Sequence, residues 1–187
     1  MGSLQSSYVG IDPSLTKTGF AILATGIRRT LTIFGKHREI PRLKWYRDEL
    51  RTHLEFITSH YGPIKQVCIE DAAYAATNRA DALGQLRGVL AVCASDFCPD
   101  IQLVEPTRLK KYATGNGGAS KERMIEAAMR EWEITLNDDE ADAIWLAHLA
   151  RALAEDSLLK RYQMEVIHGI RNPKVKRRIS TKSSDNI

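Results

Sequence analysis

Hydrophobic and polar residues alternate at the start of the chain in the short runs typical of β-strands. Three such runs cover residues 8–12, 18–24 and 31–34, with only short connections between them. Strands joined so closely must be antiparallel neighbours, because a parallel pair needs a long crossover. The pattern therefore predicts three antiparallel strands at the start of a sheet.

Longer apolar periods then alternate with two further short runs. Helical spacing over residues 43–61 stops at Gly62-Pro63, a strand ends at Glu70, a helix follows over 78–97, and residues 101–104 form another strand. The remaining pattern is helical over 106–113, 120–132, 137–155 and 157–170, with Ser120 and Asn137 as N-caps. This order predicts an α/β fold, a mixed sheet covered by helices.

Composition fits one domain and narrows its setting. The chain has 187 residues, of which 43% are hydrophobic and 27% charged. It contains no apolar run of membrane-spanning length and no signal-peptide pattern, so we expect a cytoplasmic protein without a membrane partner. Its three cysteines show no C-x-x-C spacing, which favours buried thiols over a disulfide framework or a zinc ribbon.

The net charge of +4 is concentrated at the C-terminus. Residues 171–187 hold six basic residues and one acidic residue, which leaves the rest of the chain nearly neutral. We expect residues 1–7 to be a flexible leader, 8–170 to form the domain and 171–187 to be a disordered tail. The tail either binds a polyanion or only adds solubility. The candidate DNA-binding residues of the tail are Lys174, Lys176, Arg177 and Arg178.

Two carboxylates stand where strands end. Asp12 closes an apolar strand and Glu70 follows Cys68-Ile69 at the end of another. Burying a carboxylate there is costly unless a cation or strong donors compensate, and strand ends are where α/β folds present ligand groups. Either acid alone could simply begin a loop; the two together favour a functional site.

A third group of acids opens the helix at 137–155. Asp138, Asp139 and Glu140 can be explained as first-turn residues that complement the helix dipole. Asp142 is explained less well, because Asp139 and Asp142 continue the apolar stripe of the helix toward the sheet. Inward-facing carboxylates at the edge of a core require a partner.

If these four acids converge, cations must hold them together. Like charges ~5 Å apart repel by roughly 3 kcal/mol per pair at an effective dielectric of ~20. Oxygen ligands select Mg²⁺ or Mn²⁺, and two such ions per site can clamp a phosphate for attack by water. Together with a basic tail, this predicts metal-dependent cleavage of nucleic acid.

Four segments in order resemble the RuvC family of Holliday junction resolvases, in the RNase H-like superfamily. They are GIDPSLTKTGF at 10–20, Ile69-Glu70, NRADALGQLRG at 78–88 and DEADA at 139–143. The resemblance covers about residues 8–154. It implies an RNase H-like five-stranded mixed sheet, a homodimer, and symmetric incision of two opposed strands of a four-way DNA junction. The acidic ligands of the family fall on Asp12, Glu70, Asp139 and Asp142, although Asp138 could replace Asp139.

The resemblance also implies residues that contact DNA and the second subunit. Lys110 and Lys121, around the glycine-rich loop 115–118, would contact DNA, as would Tyr74; each could instead be an ordinary surface residue. The helix from residue 78 resembles the dimer element of the family, with a fully buried helix as the alternative. Its candidate interface residues are Leu83, Leu86, Val89 and Leu90.

Two departures limit the resemblance. Ser14 stands where bacterial members usually have Gly, and the stretch from 70 to 84 is one residue shorter than theirs. We therefore carry over no cleavage-site preference, and the Ser14 form and the basic tail are more similar to phage-encoded members.

Three alternatives to a resolvase have to be considered. A sugar-kinase or actin-like phosphotransferase has a similar opening strand but needs a second lobe, for which 187 residues leave no room. A junction-binding protein without catalysis would gain nothing from four carboxylates facing phosphates. Other RNase H-like nucleases, which act on other branched DNA or on RNA–DNA hybrids, remain open.

Overall fold

Five strands form a mixed sheet in the computed structural model, which describes residues 6–71, 78–155 and 158–173. The strands are β1 (Ser7–Asp12), β2 (Lys17–Ala24), β3 (Ile27–Phe34), β4 (Ile64–Glu70) and β5 (Ile101–Val104). Their order is β3-β2-β1-β4-β5, with β1, β2 and β3 antiparallel and β1, β4 and β5 parallel. The predicted mixed sheet is confirmed, and β1 lies at its centre.

The β2–β3 hairpin is longer than the sequence pattern predicts. Its pairing runs from Lys17 opposite Phe34 to Ala24 opposite Ile27, across a two-residue turn at Thr25-Gly26. Gly26 has a φ of 70°, which favours glycine. The first half of β3 was missed because Arg28 and Arg29 are exposed on an edge strand and interrupt the hydrophobic pattern.

Helices cover both faces of the sheet. On one face lie α1 (Glu39–Tyr61) and α2 (Asn78–Ser95); on the other lie α3 (Pro106–Thr114), α4 (Lys121–Trp132), α5 (Asp138–Ala154) and α6 (Arg161–Arg171). Successive residues of β1 alternate between the two cores, with Tyr8 facing α5 and Val9 and Ile11 facing α1 and α2. None of the helices described is long and apolar enough to cross a membrane.

Both predicted N-caps are present. The side chain of Ser120 accepts a hydrogen bond from the Arg123 backbone N–H, and Asn137 forms a capping box with Glu140. In contrast, α1 begins four residues before the predicted start at 43, with Pro41 in its first turn, where a missing N–H costs little. The last helix begins four residues after the predicted start at 157.

α5 lies unusually close to the sheet because β1 and β2 each present a glycine to it. A Cβ built on Gly10 would lie 2.8 Å from Leu146 Cβ and nearer still to the backbone of Ala143 and Ala147. A Cβ built on Gly19 would lie 2.8 Å from the carbonyl carbon of Asp139. The two missing side chains therefore set the height of α5 above the strands.

The structure corrects two of the predicted interface residues on α2. Leu86 and Leu90 are both 0% exposed and pack in the chain's own core with α1 residues such as Leu50 and Leu54. They therefore offer no side-chain surface to a second subunit. Leu83 and Val89 are half-buried, and Val92, on the outer side of the same helix, is 69% exposed.

Candidate active site

Asp12 and Glu70 lie at adjoining ends of two parallel strands. The residues before them, Ile11 and Ile69, are paired across β1 and β4, so both carboxyl groups emerge at the same edge of the sheet. Asp12 is only 9% exposed, and the carboxyl group of Glu70 lies close enough to raise the pKa of Asp12. The convergence expected from the two strand ends is therefore present.

The first two turns of α5 bring two further acids to this edge. Gly19 is the cross-strand partner of Asp12, and the backbone of Asp139 rests against Gly19. Asp142 lies almost one turn further along α5. The negative charges of Asp142 and Asp139 both act on the carboxyl group of Asp12. All four sequence-predicted acids therefore lie in one neighbourhood.

The four carboxyl groups hold their protons more tightly than free acids do. Burial, followed by the charge of Glu70, raises the pKa of Asp12 well above its usual range. Burial also raises the pKa of Glu70, and burial with the charge of Glu70 raises the pKa of Asp142 to about 7. The pKa of Asp139 is raised by burial and then by Asp138. The site therefore favours bound positive charge.

Lys110 and Lys121 lie beside the carboxylates, one on α3 and one at the start of α4. The positive charges of both lysines lower the pKa values of Glu70 and Asp142, against the effect of burial. Lys121 Nζ also forms an ion pair with Asp138 at 2.7 Å. Asp138 is thus paired with a lysine, whereas Asp139 acts on Asp12, which favours Asp139 over Asp138 as a member of the acid group.

The glycine-rich loop between the two lysines is held by its own hydrogen bonds. Gly115 ends α3 with a φ of 81°, and the Thr114 hydroxyl donates to the Lys110 carbonyl at 2.8 Å. The backbone N–H of Asn116 donates to Thr114 Oγ1, and that of Gly118 donates to Asn116 Oδ1. These two N–H groups are engaged within the loop and are not free to bind a phosphate.

The donor set fits a hard divalent cation. It consists of carboxylate oxygens, and nearby lysines do not cancel the effect of burial, because the pKa values of all four acids remain raised. Within residues 6–71, 78–155 and 158–173, no three acid, histidine or cysteine side chains are arranged around a common point at ligand distance. Binding of an ion would therefore require the carboxyl groups to turn toward it.

Five of the predicted DNA-binding residues lie outside the described residues. Tyr74 falls within residues 72–77, and the tail candidates Lys174, Lys176, Arg177 and Arg178 fall within residues 174–187, all outside the described residues. Lys17, on the other hand, was not predicted, although its charge acts on the pKa of Asp139. The signal for Lys17 was its position at the start of β2, directly after the turn that follows Asp12.

Comparison with known proteins identifies the family. The family profile described as "Crossover junction endodeoxyribonuclease RuvC" matches residues 8–150, well over half of the chain. The chain belongs to the RuvC family. This confirms the resemblance carried by the four segments and, at the level of the family, the prediction of a crossover junction endodeoxyribonuclease.

Curated relatives support the assignment over most of their length. RuvC of Rickettsia prowazekii is 29% identical over 153 residues, which cover 75% of this chain and 93% of the relative. RuvC of Synechococcus sp. WH7803 is 30% identical over 145 residues, which cover 74% and 94%. The matched region spans the sheet and the carboxylate site.

Two solved structures show the same fold. The chain is similar to T. thermophilus RuvC in complex with a Holliday junction substrate, with a TM-score of 0.62, 19% identity, and coverage of 87% of this chain and 97% of that one. A second Thermus thermophilus RuvC structure gives a TM-score of 0.55 at 20% identity, and covers 80% and 95%. The predicted RNase H-like arrangement of the sheet and its flanking helices is confirmed.

Proposed function

We propose that this chain resolves four-way DNA junctions by paired, symmetric nicks, using two Mg²⁺ ions per active site held by Asp12, Glu70, Asp139 and Asp142. The observation that carries the proposal is the convergence of these four acids at one sheet edge, with pKa values raised by burial and by one another. Membership of the RuvC family supports a branched DNA junction as the substrate. Enzymes of this family are divalent-metal-dependent nucleases, which supports a metal ion at the carboxylates.

Two of the four acids are carried by strands and two by a helix. Asp12 and Glu70 stand on the ends of hydrogen-bonded strands, so they are the rigid half of the site. Asp139 and Asp142 are carried by α5, whose position depends on its contact with the sheet. Two divalent ions held by these oxygens would activate a water for in-line attack on the phosphorus and stabilise the leaving 3′ oxygen. Mn²⁺ has similar ligand preferences and should substitute for Mg²⁺.

Lys110 and Lys121 hold the DNA phosphates at the site. Both lysines already offset the negative charge of Glu70 and Asp142, so a phosphate placed between the lysines and the carboxylates would meet positive charge on one side. The ion pair between Lys121 and Asp138 is exposed, with 63% of the lysine side chain accessible, so a phosphate can compete for it.

A homodimer would supply the second active site that paired nicks require. Between α1 and α2 lies a groove of about 550 Å³ whose surface is mostly apolar. Ile40, Leu43, Val89 and Val92 line it, together with the charged residues Lys44, Arg47, Arg51 and Asp96. Ile40 is 71% and Val92 69% exposed, unusual values for large apolar side chains. We place the subunit interface at this groove. Of the predicted interface residues, it includes Val89, excludes the buried Leu86 and Leu90, and is not lined by Leu83.

One assay tests the function directly. The purified chain is incubated with Mg²⁺ on a mobile four-way junction, a fork, an RNA–DNA hybrid and a linear duplex, and the cut positions are mapped on both strands. We expect paired, symmetric nicks on the junction. Cleavage of the hybrid or the fork alone would instead indicate a related RNase H-like nuclease, and binding without any incision would indicate a non-catalytic junction protein.

A matched pair of variants links the activity to the site. Asp142→Asn should abolish incision and preserve junction binding. The control is Asp100→Asn. Asp100 is exposed and directly precedes β5, at the end of that strand away from Glu70, so its replacement should leave incision and junction binding unchanged. Retained cleavage by Asp142→Asn would contradict the metal-ligand assignment.

A further inference from the structure

A basic groove lies next to the turn that follows Asp12, at the end of β3, whereas Lys110 is on the helix that follows β5; β3 and β5 are the two opposite edge strands of the sheet. It has a volume of about 660 Å³ and lies between the β1–β2 turn and the segment that connects β3 to α1. Its lining includes Leu15, Thr16, Lys36, His37, Arg38 and Arg42. Lys36, His37 and Arg38 are exposed, so the groove is an open channel with a positive wall.

Backbone contacts fix this groove relative to the carboxylates. Leu15 and Thr16 belong to the turn that follows Asp12, and the Gly35 N–H donates to the Thr16 carbonyl at 2.8 Å. A Cβ on Gly35 would lie 2.8 Å from the Leu15 carbonyl oxygen, so the β3–α1 segment lies directly against the turn. The basic residues 36–38 therefore directly follow a backbone contact with the turn after Asp12.

Arg42 is the basic residue of the groove that reaches deepest. Its Nε atom is buried and has no hydrogen-bond partner among the described residues. Burial raises the pKa of the nearby Tyr46; the charge of Arg42 opposes this rise, and that of Asp139 adds to it. Arg42 and the acid site therefore act on the same side chain. A buried guanidinium donor without an acceptor is costly, which favours an acceptor supplied from outside the chain.

Trp45 orders the cations at the mouth of the groove. Its indole Nε1–H donates to the Phe34 carbonyl at 3.1 Å, and the ammonium of Lys36 lies 4.2 Å from the centre of its ring. His37 packs against the edge of the same ring. In the described part of the chain, no carboxylate lies within ion-pair distance of Lys36, Arg38 or Arg42, whereas Lys111, Lys121 and Lys160 all have acidic partners. The groove thus holds ordered positive charge that the chain itself leaves unneutralised.

We propose that this groove binds the DNA phosphate backbone where it leaves the active site, so that the strand crosses the carboxylates between Lys110 and Lys121 on one side and Lys36, Arg38 and Arg42 on the other. This inference rests on the proposed function. An open channel suits a linear polyanion that continues in both directions, and arginine forks match the geometry of phosphate oxygens.

The salt dependence of DNA binding tests the groove. A fluorescent four-way junction is titrated by anisotropy in EDTA, without divalent ions, at a series of NaCl concentrations. The groove variant carries Lys36→Gln, Arg38→Gln and Arg42→Gln. The control variant carries Lys65→Gln, Arg130→Gln and Arg161→Gln, which remove the same charge from exposed positions on β4, α4 and α6. Thermal unfolding of both triple variants shows whether either one is destabilised. The single variant Arg38→Gln changes an exposed residue only, so its effect on DNA binding does not depend on a change in folding.

Each lost phosphate contact lowers the slope of log affinity against log salt by about 0.9. We therefore expect the groove variant to lose roughly two to three units of slope and about tenfold or more in affinity at 0.1 M NaCl, and Arg38→Gln to lose about one unit. The control variant should lose less than one unit. Equal slopes for the groove and control variants would overturn the proposal.

Incision assays on the wild-type chain keep the two proposals distinguishable. Junction cleavage together with equal slopes would retain the nuclease assignment and reject the groove. A reduced slope in the groove variant without cleavage by the wild type would support the groove as a DNA-binding surface and reject the nuclease assignment. Absence of any salt-dependent DNA binding by the wild type would overturn both.

Discussion

The backbone carbonyl of Asp139 occupies the space in which a side chain on Gly19 would lie. A Cβ on Gly19 would be 2.8 Å from the Asp139 carbonyl carbon and 3.3 Å from the Ala143 side chain. Gly19 is also paired across the sheet with Asp12. At the start of α5, the close approach of Asp139 to the strand that pairs with Asp12 therefore depends on the absence of a side chain on Gly19.

Gly19→Ala should move the first turn of α5 away from the sheet. Overpacking of this kind destabilises by about 1–3 kcal/mol, and a displacement near 1 Å in a catalytic group can cost about 100-fold in rate. We expect a lower free energy of unfolding in urea, and junction incision reduced more than junction binding.

Gly169→Ala is the control for this substitution. Nothing lies within 4 Å of a Cβ on Gly169, which is in α6, so alanine there should be neutral or should stabilise by up to about 1 kcal/mol. Full incision by Gly19→Ala would show that the acid site does not depend on this contact.

The parts of the site that follow from local rules were predictable from the sequence. Asp12 and Glu70 could be placed because a carboxylate after an apolar run marks a strand end, and the parallel pairing of β1 and β4 then brings the two together. The start of α5 could be placed because Asn137 and Glu140 have the spacing of a capping box. Such signals are confined to a few neighbouring residues.

The parts that depend on tertiary packing were not predictable. α2 carries apolar residues on more than one side, and only the folded chain shows that Leu86 and Leu90 face α1 whereas Val92 faces outward. Similarly, a glycine in a strand is compatible with a bulge, a bend or a close contact. That Gly19 serves a close contact with α5 depends on where the helix lies.

The stability of the metal-free protein should fall as pH rises from about 4 to about 7. The pKa of Asp142 is 3.8 in the unfolded reference and about 7 in the folded chain, so the folded state binds the extra proton in this interval. Its stabilising contribution is complete below the unfolded pKa and is lost as pH rises through the folded pKa. The raised pKa values of Asp12, Glu70 and Asp139 act with the same sign.

Urea unfolding in EDTA across this interval measures the effect, and Asp142→Asn should flatten the decline because the amide does not titrate. At pH 8, Mg²⁺ should raise the melting temperature of the wild type more than that of Asp142→Asn; a ligand at 100 times its Kd stabilises by about 2.7 kcal/mol. The expectation would be contradicted by the same pH dependence, and the same response to Mg²⁺, in both proteins.

Lys110→Gln should weaken DNA binding and shift the pH dependence of incision. Its charge lowers the pKa of both Glu70 and Asp142, so its removal should raise both and move the rising limb of the pH–rate profile to higher pH. The salt slope of junction binding should fall by about one unit.

The neighbouring Lys111 provides a close control for Lys110. It lies on the same helix but forms an ion pair with Glu165 on α6 at 2.9 Å. Lys111→Gln should therefore leave the pH profile and the salt slope nearly unchanged. If the two substitutions had identical effects, Lys110 would contribute only through the net charge of the protein and not through its position beside the carboxylates.

Val92→Glu should produce monomers, because it places a charge on the exposed apolar surface between α1 and α2. Light scattering measures the mass, and circular dichroism should show an unchanged fold. Leu86→Glu should instead unfold the chain, because Leu86 is fully buried within one subunit. A Val92→Glu protein that remains dimeric would place the interface elsewhere.

Deletion of residues 174–187 should weaken DNA binding without affecting the fold. The structure sets the cut point: α6 ends at Arg171, and the Arg171 side chain donates to the Leu153 carbonyl at 3.0 Å, so a deletion from 171 would remove a contact of the domain. Residues 174–187 carry five basic residues and one acidic residue, so the salt slope should fall by up to about four units, with the unfolding midpoint unchanged. A full-length chain in which the five basic residues are replaced by glutamine should behave like the deletion, which separates charge from length. An unchanged slope in both proteins would mean that the tail does not contact DNA and that its charge serves solubility.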